Sequence, residues 1–261
     1  DAVGASSCTA CVSGQFQPSV GEVSCSSCTP DAQACASGTY QTSTCNSVSD
    51  RQCGANPALS GIAGTVTYVE NANASPLASA ALVTFLSSTT LSSATVTIVG
   101  GNAHDELSVA STLSGGITSS FSGATLTLTG TANLDSYHTA LRMVSFETQG
   151  EMVDKTAKRT ISATFTVCHT STVCSASATV TIEVHPVNDL PTVSFATDTF
   201  AYTQDGAAVQ IAAGMEFSDV DSTQLQGATV QLMGNQCEGD VLAISPGTAN
   251  IALSYNEATG A

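Results

Sequence analysis

The sequence is poor in positive charge, in aromatic side chains and in long apolar runs. Only 5 of its 261 residues are Lys or Arg, against 21 Asp or Glu, and Trp is absent. So few scattered cations cannot follow a phosphate backbone, which excludes nucleic-acid binding. No run of about 18 apolar residues occurs, so we expect no membrane span in this segment. The net charge of -16 suits solubility or cation binding instead.

Helical periodicity is also missing. No apolar repeat of about 3.6 residues lasts three turns, whereas short β-branched runs alternate apolar and polar side chains between Gly, Ser and Asn turns. This pattern predicts an all-β protein built from antiparallel β-sandwiches. The predicted strands include GTVTYVE, ATVTIVG, ATLTLTG, RMVSFET, RTISATFTV and ASATVTIEV.

Signatures of catalysis are absent from the sequence. The four His residues have no partner at the spacing of a metal site. No nucleophile elbow, phosphate-binding loop or dinucleotide fingerprint occurs either. We therefore expect a protein that is not an enzyme.

Ten cysteines are present, and seven of them lie within the first 53 residues. The pattern C-x2-C-x13-C-x2-C, from Cys8 to Cys28, is close to the spacing of a four-thiolate zinc site. However, more cysteines follow at once in a segment that lacks a core of its own, which favours disulfides in a secreted protein. Cys168 and Cys174 flank the tip of a predicted hairpin, where cross-strand Cα atoms about 5.5 Å apart suit a disulfide.

The segment CASGTYQTSTCNSVSDRQC, from Cys35 to Cys53, resembles the cysteine-rich module of tumour necrosis factor receptors and the related ephrin-receptor-like repeats. Its marks are C-x2-G-x-Y and D-R-x-C, and CVSGQFQPSVGEVSC is similar to the opening loop of such a module. The resemblance implies the disulfides Cys11–Cys25, Cys28–Cys45 and Cys35–Cys53. Cys8 is then left over from a preceding module, with a free thiol as the alternative. We expect this module, truncated at its N-terminus, over residues 1–54 and a linker over residues 55–61.

The rest of the chain repeats itself without a gap at an offset of 134 residues. Tyr68 aligns with Tyr202, Gly100 aligns with Gly234, and SSATVTIVG aligns with QGATVQLMG. We therefore predict a complete repeat over residues 62–190 and a partial second repeat over residues 191–261. A partial sandwich has open edges and an unfinished core, so we expect the protein to continue and Cys237 to find a partner beyond this segment.

The strings YVEN, LTLTGTANLDSYHTALRMVSFET, RTISATFTV and HPVNDLP follow one another in the order found in cadherin-like repeats, which the first repeat resembles throughout. The resemblance implies Ig-like antiparallel sandwiches in an extracellular or cell-surface protein. It also implies calcium at the joint between the repeats. The candidate ligands are Glu70, Asp135, Asn188, Asp189, Asp219 and Asp221.

Simple chemistry agrees with calcium at this joint. Asp219 and Asp221 offer hard oxygen donors, which an extended D-x-D segment would direct to one side. Grouped carboxylates repel one another, and a bound cation removes that repulsion. The linker has His185 where the family pattern has its first Asp and is one residue short, so we expect one ion rather than three. The alternative interpretation of Asn188 and Asp189 is a simple turn.

The remaining features concern partners and role. Asn73 begins the sequence Asn-Ala-Ser, which accepts N-glycans on a secretory route. Together the features predict a structural protein of an extracellular filament, mastigoneme-like appendage or matrix. Its expected partners are further copies of itself, other extracellular structural proteins and glycans. Two alternatives stay open: the ectodomain of an adhesion receptor, and the non-catalytic stalk of a surface enzyme.

Overall fold

Strands make up nearly all of the regular structure, which confirms the predicted all-β class. The computed structural model describes residues 15–16, 26–27, 35–46, 50, 52–109, 112–152, 154–195, 199–234, 237, 239–243, 251–252 and 254. The chain divides into two units, Asp1–Asn188 and Asp189–Ala261. This division lies close to residue 190, where the sequence predicts the end of the first repeat.

The N-terminal segment contains short strand pairs in its described part. The pairs are β1 (Gln15–Phe16) with β2 (Ser26–Ser27), and β3 (Thr39–Ser43) with β4 (Gln52–Ala55). A disulfide joins Cys53 in β4 to Cys35, with Cα atoms 5.9 Å apart, so this predicted bond is present. Cys45 is also disulfide-bonded. Its predicted partner Cys28 and the predicted pair Cys11–Cys25 lie outside the described residues.

Residues 55–61, the predicted linker, belong to the first folded unit and contain a strand. Within them, β5 (Ala58–Ser60) pairs antiparallel with β8 (Leu82–Thr84). Leu59 packs against the hydrophobic core. The side-chain amide of Asn56 donates a hydrogen bond to the carbonyl of Cys174 (3.0 Å). These contacts with distant residues cannot be read from local composition.

The larger sheet of the first unit has six strands in the order β11-β12-β9-β14-β15-β6. Their bounds are β6 (Thr65–Val69), β9 (Thr90–Val99), β11 (Thr118–Ser122), β12 (Thr125–Asn133), β14 (Arg159–Cys168) and β15 (Ala178–His185). Neighbouring strands run antiparallel except β15 and β6, which pair in parallel. The purely antiparallel prediction misses this pair, because strands so far apart in sequence leave no local sign of their relative direction.

A smaller sheet has three strands in the order β10-β13-β7. Its strands are β7 (Ser75–Pro76), β10 (Asp105–Val109) and β13 (Val144–Thr148). The two sheets share one core, in which the ring of Tyr68 from β6 meets that of Phe146 from β13 edge to face at 5.2 Å. Full burial of an apolar side chain of this kind stabilises the fold by about 1.5–3 kcal/mol.

A helix, α1 (Leu134–Arg142), interrupts the strands of the first unit, and the sequence prediction misses it. Its nine residues make about two and a half turns, too few for a clear periodic signal. Asn133 caps the helix by accepting a hydrogen bond from the amide of Ser136 (2.8 Å), and Tyr137 and Leu141 are buried one turn apart. Among the described residues, no helix is long and apolar enough to cross a membrane.

The hairpin between β14 and β15 carries the predicted Cys168–Cys174 disulfide. The two Cα atoms are 4.0 Å apart, closer than the predicted separation. Backbone hydrogen bonds join the residue pairs on either side of this pair. The cysteines therefore occupy the non-hydrogen-bonded position of an antiparallel ladder, where Cα atoms approach most closely.

The second unit contains one described strand pair, β16 (Thr192–Ser194) with β17 (Glu216–Ser218). None of the hydrophobic side chains that the structure describes in this unit is buried. Each residue of β16 and β17 lies 134 positions after a residue of β5 and β8. The register is the same as well, because Ala58 pairs with Thr84 in the first unit and Thr192 pairs with Ser218 in the second.

A turn recurs at the same offset. Asn71 and Asp205 have φ angles of 62° and 61°, and within the described ranges they alone combine a positive φ with a side chain other than Gly. A backbone hydrogen bond closes each turn, from Ala72 to Val69 (3.0 Å) and, 134 residues later, from Gly206 to Thr203 (2.9 Å). The repeat found in the sequence is therefore also a repeat of backbone structure.

Candidate functional site

Glu70 holds a buried carboxylate at the C-terminal end of β6. The parallel pairing of β6 with β15 puts this end beside His185, whose carbonyl accepts the amide hydrogen of Glu70 (2.9 Å). The carboxylate oxygen Oε1 accepts from the amide of Met152, and Oε2 accepts from the amide of Val187 (2.9 Å). These two charge-assisted hydrogen bonds offset the cost of burying the carboxylate and fix the chain that leaves β15.

Glu151 provides a second carboxylate beside Glu70. An oxygen of each lies within 4.8 Å of the other, and Glu151 is exposed whereas Glu70 is buried. Among the residues that the structure describes, no ion pair joins Glu70 to a basic side chain. Two carboxylates this close repel one another and present the oxygen donors that Ca2+ prefers. The sequence prediction names Glu70 but misses Glu151, since only the fold brings the loop before β14 to the end of β6.

Asn188 is the last residue of the first unit. Its side-chain oxygen accepts a hydrogen bond from Nζ of Lys155 (2.9 Å). That oxygen is the atom predicted to ligate calcium, so in this structure a basic side chain occupies it. A cation bound to this oxygen would lie beside the positive charge of Lys155, so this contact opposes cation binding by Asn188 for as long as Lys155 stays there.

Three predicted ligands of the second unit form one hydrogen-bonded group. Asp219 Oδ1 accepts from the backbone amides of Asp221 (3.1 Å) and Ser222 (2.8 Å). The amide of Asp189 donates to Asp221 Oδ2 (3.3 Å). Asp219 and Asp221 thus lie in an Asx-type bend after β17, not in the extended strand that the sequence suggests, because the short side chain of Asp219 caps the amides that follow it.

Asp135 lies far from Glu70 and is not part of the candidate site, which corrects the sequence prediction. It lies in the first turn of α1 with a side chain that is 96% exposed, 3.5 Å from Nδ1 of His138. The strand register places α1, with Asp135, at the end of the larger sheet where β9 begins. Glu70 follows β6 at the opposite end of that sheet, where β9 ends. The ten residues of β9 span about 30 Å, so the two carboxylates cannot bind one ion.

The first unit also contains an ion pair between the buried carboxylate of Asp105 and the partly buried Arg159, which the sequence prediction misses. The two terminal guanidinium nitrogens of Arg159 each donate to one carboxylate oxygen of Asp105, at 2.6 Å. Burial raises the pKa of Asp105, but hydrogen bonds from Arg159, Asn102 and Thr148 outweigh this effect and hold the pKa below its ordinary value. The pair joins β10 of the smaller sheet to β14 of the larger one, so its role is to fix the two sheets together.

The predicted acceptor for N-glycans, Asn73, is exposed in the loop between β6 and β7. Ser75, which completes the acceptor sequence, is the first residue of β7 and pairs with Phe146. The side-chain amide of Asn73 is therefore accessible from solvent.

No protein-family model matches this sequence, and comparisons with curated proteins and with solved structures also give no match. Function therefore has to be inferred from the residues of the chain and from their arrangement.

Proposed function

We propose that this chain is a structural repeat protein of an extracellular filament, appendage or matrix, stiffened by calcium at the junction between its repeats. The observation that carries the proposal is the repeat itself, which recurs in strand register and in turn geometry at one offset. Tandem units of this kind extend a chain by adding modules in series. Disulfides at Cys35–Cys53 and Cys168–Cys174 suit an oxidising compartment such as the cell exterior.

We propose further that the two repeats are cadherin-like. This assignment is more specific than the all-β fold, and it rests on the sequence resemblance. The paired sheets and shared core of the first unit are compatible with it. The parallel pairing of β6 with β15 places the beginning of the repeat beside its exit strand. Forces along the chain would then act on adjacent strands of one sheet, an arrangement suited to a mechanical role.

Calcium is the proposed ligand because oxygen donors flank the junction on both sides in the chain. Glu70 and Glu151 form a pair in the first unit. Each oxygen of Glu70 accepts one described hydrogen bond and keeps a further lone pair for a cation. An all-oxygen donor set with carboxylates suits Ca2+, whereas Zn2+ favours nitrogen and sulfur ligands.

The covalent chain links the two acidic groups. The amide of Val187 donates to Glu70, and the amide of Asp189 donates to Asp221. These two donors are two residues apart, and two residues span at most about 7 Å. A calcium ion bound by carboxylates from both groups would restrict the backbone rotations of the segment that connects them. This loss of rotation is what we mean by stiffening.

Calorimetry of the full chain with and without millimolar calcium tests the proposal. We expect calcium to raise the unfolding midpoint by several degrees, because an ion that binds only the folded state stabilises it. The variants Glu151→Gln and Asp219→Asn/Asp221→Asn should each lose most of this rise, since they remove proposed ligands and leave the buried Glu70 intact.

Asp135→Asn is the matched control, because it removes the same charge at the far end of the larger sheet. It should keep the full calcium effect. Sodium chloride at equal ionic strength separates binding from screening. An unchanged midpoint in calcium, or an equal shift in every variant, would contradict the proposal and leave Asn188 and Asp189 as a turn.

A further inference from the structure

We propose that the outer edge of β11 is a docking site for a second copy of this chain. β11 is the terminal strand of the six-stranded sheet, and no strand of the described ranges pairs with its outer side. On its inner side all five residues pair with β12. Every second residue of such an edge strand directs its N–H and C=O groups outward, where another strand can bind them.

The other three edges of the two sheets carry features that oppose strand addition. β7 has only two residues and ends in Pro76, which lacks an N–H donor. β10 carries the exposed carboxylate of Glu106. β6 leads into Glu70, and Glu183 on the neighbouring strand is paired with Thr67. β11 contains neither proline nor charge, so it lacks the usual protection of an edge.

The charge distribution favours a second copy as the partner. No charged residue occurs from Leu107 to Leu134, although the chain has a net charge of -16. Repulsion between like charges opposes association through most other surfaces of two such chains. At this edge no like charges would meet, and a strongly acidic or basic partner would gain no attraction from it.

The sequence of β11 suits pairing with itself. In an antiparallel arrangement centred on Ser120, every residue of the strand has a counterpart, and Thr118 faces Ser122 of the other copy. The side chains of these residues share the outer face with the β12 threonines, since Ser120 is paired with Thr127. The hydroxyls of Thr118 and Thr129 already lie 3.0 Å apart, and the second copy would extend this row of hydroxyl contacts.

Such pairing joins two six-stranded sheets into one continuous sheet. It deepens the proposed function, on which it rests, by naming the partner and the contact through which copies would assemble. It needs no calcium, however, so the two proposals can fail separately. The side chain of Phe121 stays packed against the core of its own unit and adds nothing to the row of hydroxyl contacts.

Sedimentation velocity of the full chain over a range of concentrations tests this edge. We expect wild-type chains to associate reversibly, and to do so in EDTA as well as in calcium. Ser120→Lys and Ser120→Glu should each weaken association by about fivefold or more, because each places two like charges opposite one another. An equimolar mixture of the two variants should restore association, because Lys then faces Glu.

Thr67→Lys, on the exposed edge of β6, is the control and should leave association unchanged. Circular dichroism of each variant checks that the fold is retained. A wild-type chain that stays monomeric at every concentration would overturn the proposal. Association that neither Ser120 variant weakens would also overturn it. Opposite effects of the two variants would overturn it as well, since they indicate that the partner surface is charged. Association that disappears in EDTA would overturn the edge contact but leave the calcium junction standing.

Discussion

The two copies of the repeat share a backbone pattern but not a core. β5 with β8 and β16 with β17 have the same register, and each copy has the same left-handed turn. Yet Tyr68 and Val96 are fully buried, whereas the aligned Tyr202 and Val230 are 60% and 51% exposed. The same residue type at the same place in a local pattern is therefore core in one unit and surface in the other.

The difference between the copies shows which parts of a β-fold depend only on residues that are near in sequence. A turn needs only its own residues, so the turn at Asn71 recurs at Asp205. Strand β9 is different, because it lies between β12 and β14, both of which follow it in the chain. The stretch aligned with it, residues 224–233, forms no strand, and neither do the described residues after Gly234. A β-segment without neighbours leaves its N–H and C=O groups unpaired and cannot bury its apolar face.

The largest expected effect comes from the ion pair of Asp105 with Arg159, which the second copy lacks because Gly239 aligns with Asp105. Arg159→Met should lower the free energy of unfolding of the first unit by about 3–5 kcal/mol at neutral pH, since it leaves a buried carboxylate without its cation. Urea unfolding followed by circular dichroism measures this loss. Lys158→Met is the control, because it breaks the more exposed 2.6 Å pair with Glu183 and should cost less than about 1 kcal/mol.

The pH dependence of this variant gives a second readout. In the wild type the pKa of Asp105 is lowered, so its contribution to stability is present above the ordinary carboxyl pKa and is lost as pH falls through the folded value. Without Arg159, burial dominates and should raise the pKa. The variant then loses stability as pH rises, so its deficit should be largest at neutral pH and shrink below about pH 4. A deficit that is the same at every pH would mean that lost packing, not charge, sets the cost.

Aligned leucines provide the next comparison between the copies. Leu91 is fully buried in β9, and its counterpart Leu225 is 41% exposed. Leu91→Ala should cost about 2–5 kcal/mol, because it leaves a cavity in the core. Leu225→Ala should stay within about 0.5 kcal/mol in the same urea experiment. Equal costs would show that the second copy also forms a core in solution.

Much of the fold could be predicted from the sequence because its signals are local. Period-two alternation identified β6, β9, β12, β14 and β15, and the symmetric placement of Cys168 and Cys174 identified their disulfide. The sequence prediction misses helix α1 because nine residues give a weak period, although Asn133 before an apolar pair spaced by one turn is a usable signal. The parallel pairing of β6 with β15 depends on long-range topology and left no such signal.

The candidate site was harder to predict because ligands meet through topology. The sequence prediction misses Glu151 and wrongly groups Asp135 with Glu70, since neither sequence distance nor the resemblance reports which end of a sheet a residue occupies. The D-x-D pattern of Asp219 and Asp221 predicts an extended strand, because its alternation fits one. The side chain of Asp219 instead bonds to the following amides, a local competition that the D-x-D pattern does not reveal.

The smallest expected effect concerns the turn that the copies share. Asn71 and Asp205 adopt a left-handed conformation, which costs most residues about 1–2 kcal/mol and which Asn and Asp tolerate better. Asn71→Ala should therefore lower the free energy of unfolding by about 1 kcal/mol, whereas Asn71→Gly should be nearly neutral. Differential scanning calorimetry measures both.

Asp205→Ala extends this test to the second copy, where hydrogen exchange of single amides is the better measurement. The amides of Ala72 and Gly206 close the two turns, and each should exchange faster by a similar factor when the residue before it becomes Ala. Equal factors mean that the turn is set by its own residues in both copies. An effect at Gly206 alone would mean that the core around Tyr68 imposes the turn in the first copy, so that the recurrence at Asp205 has a separate cause.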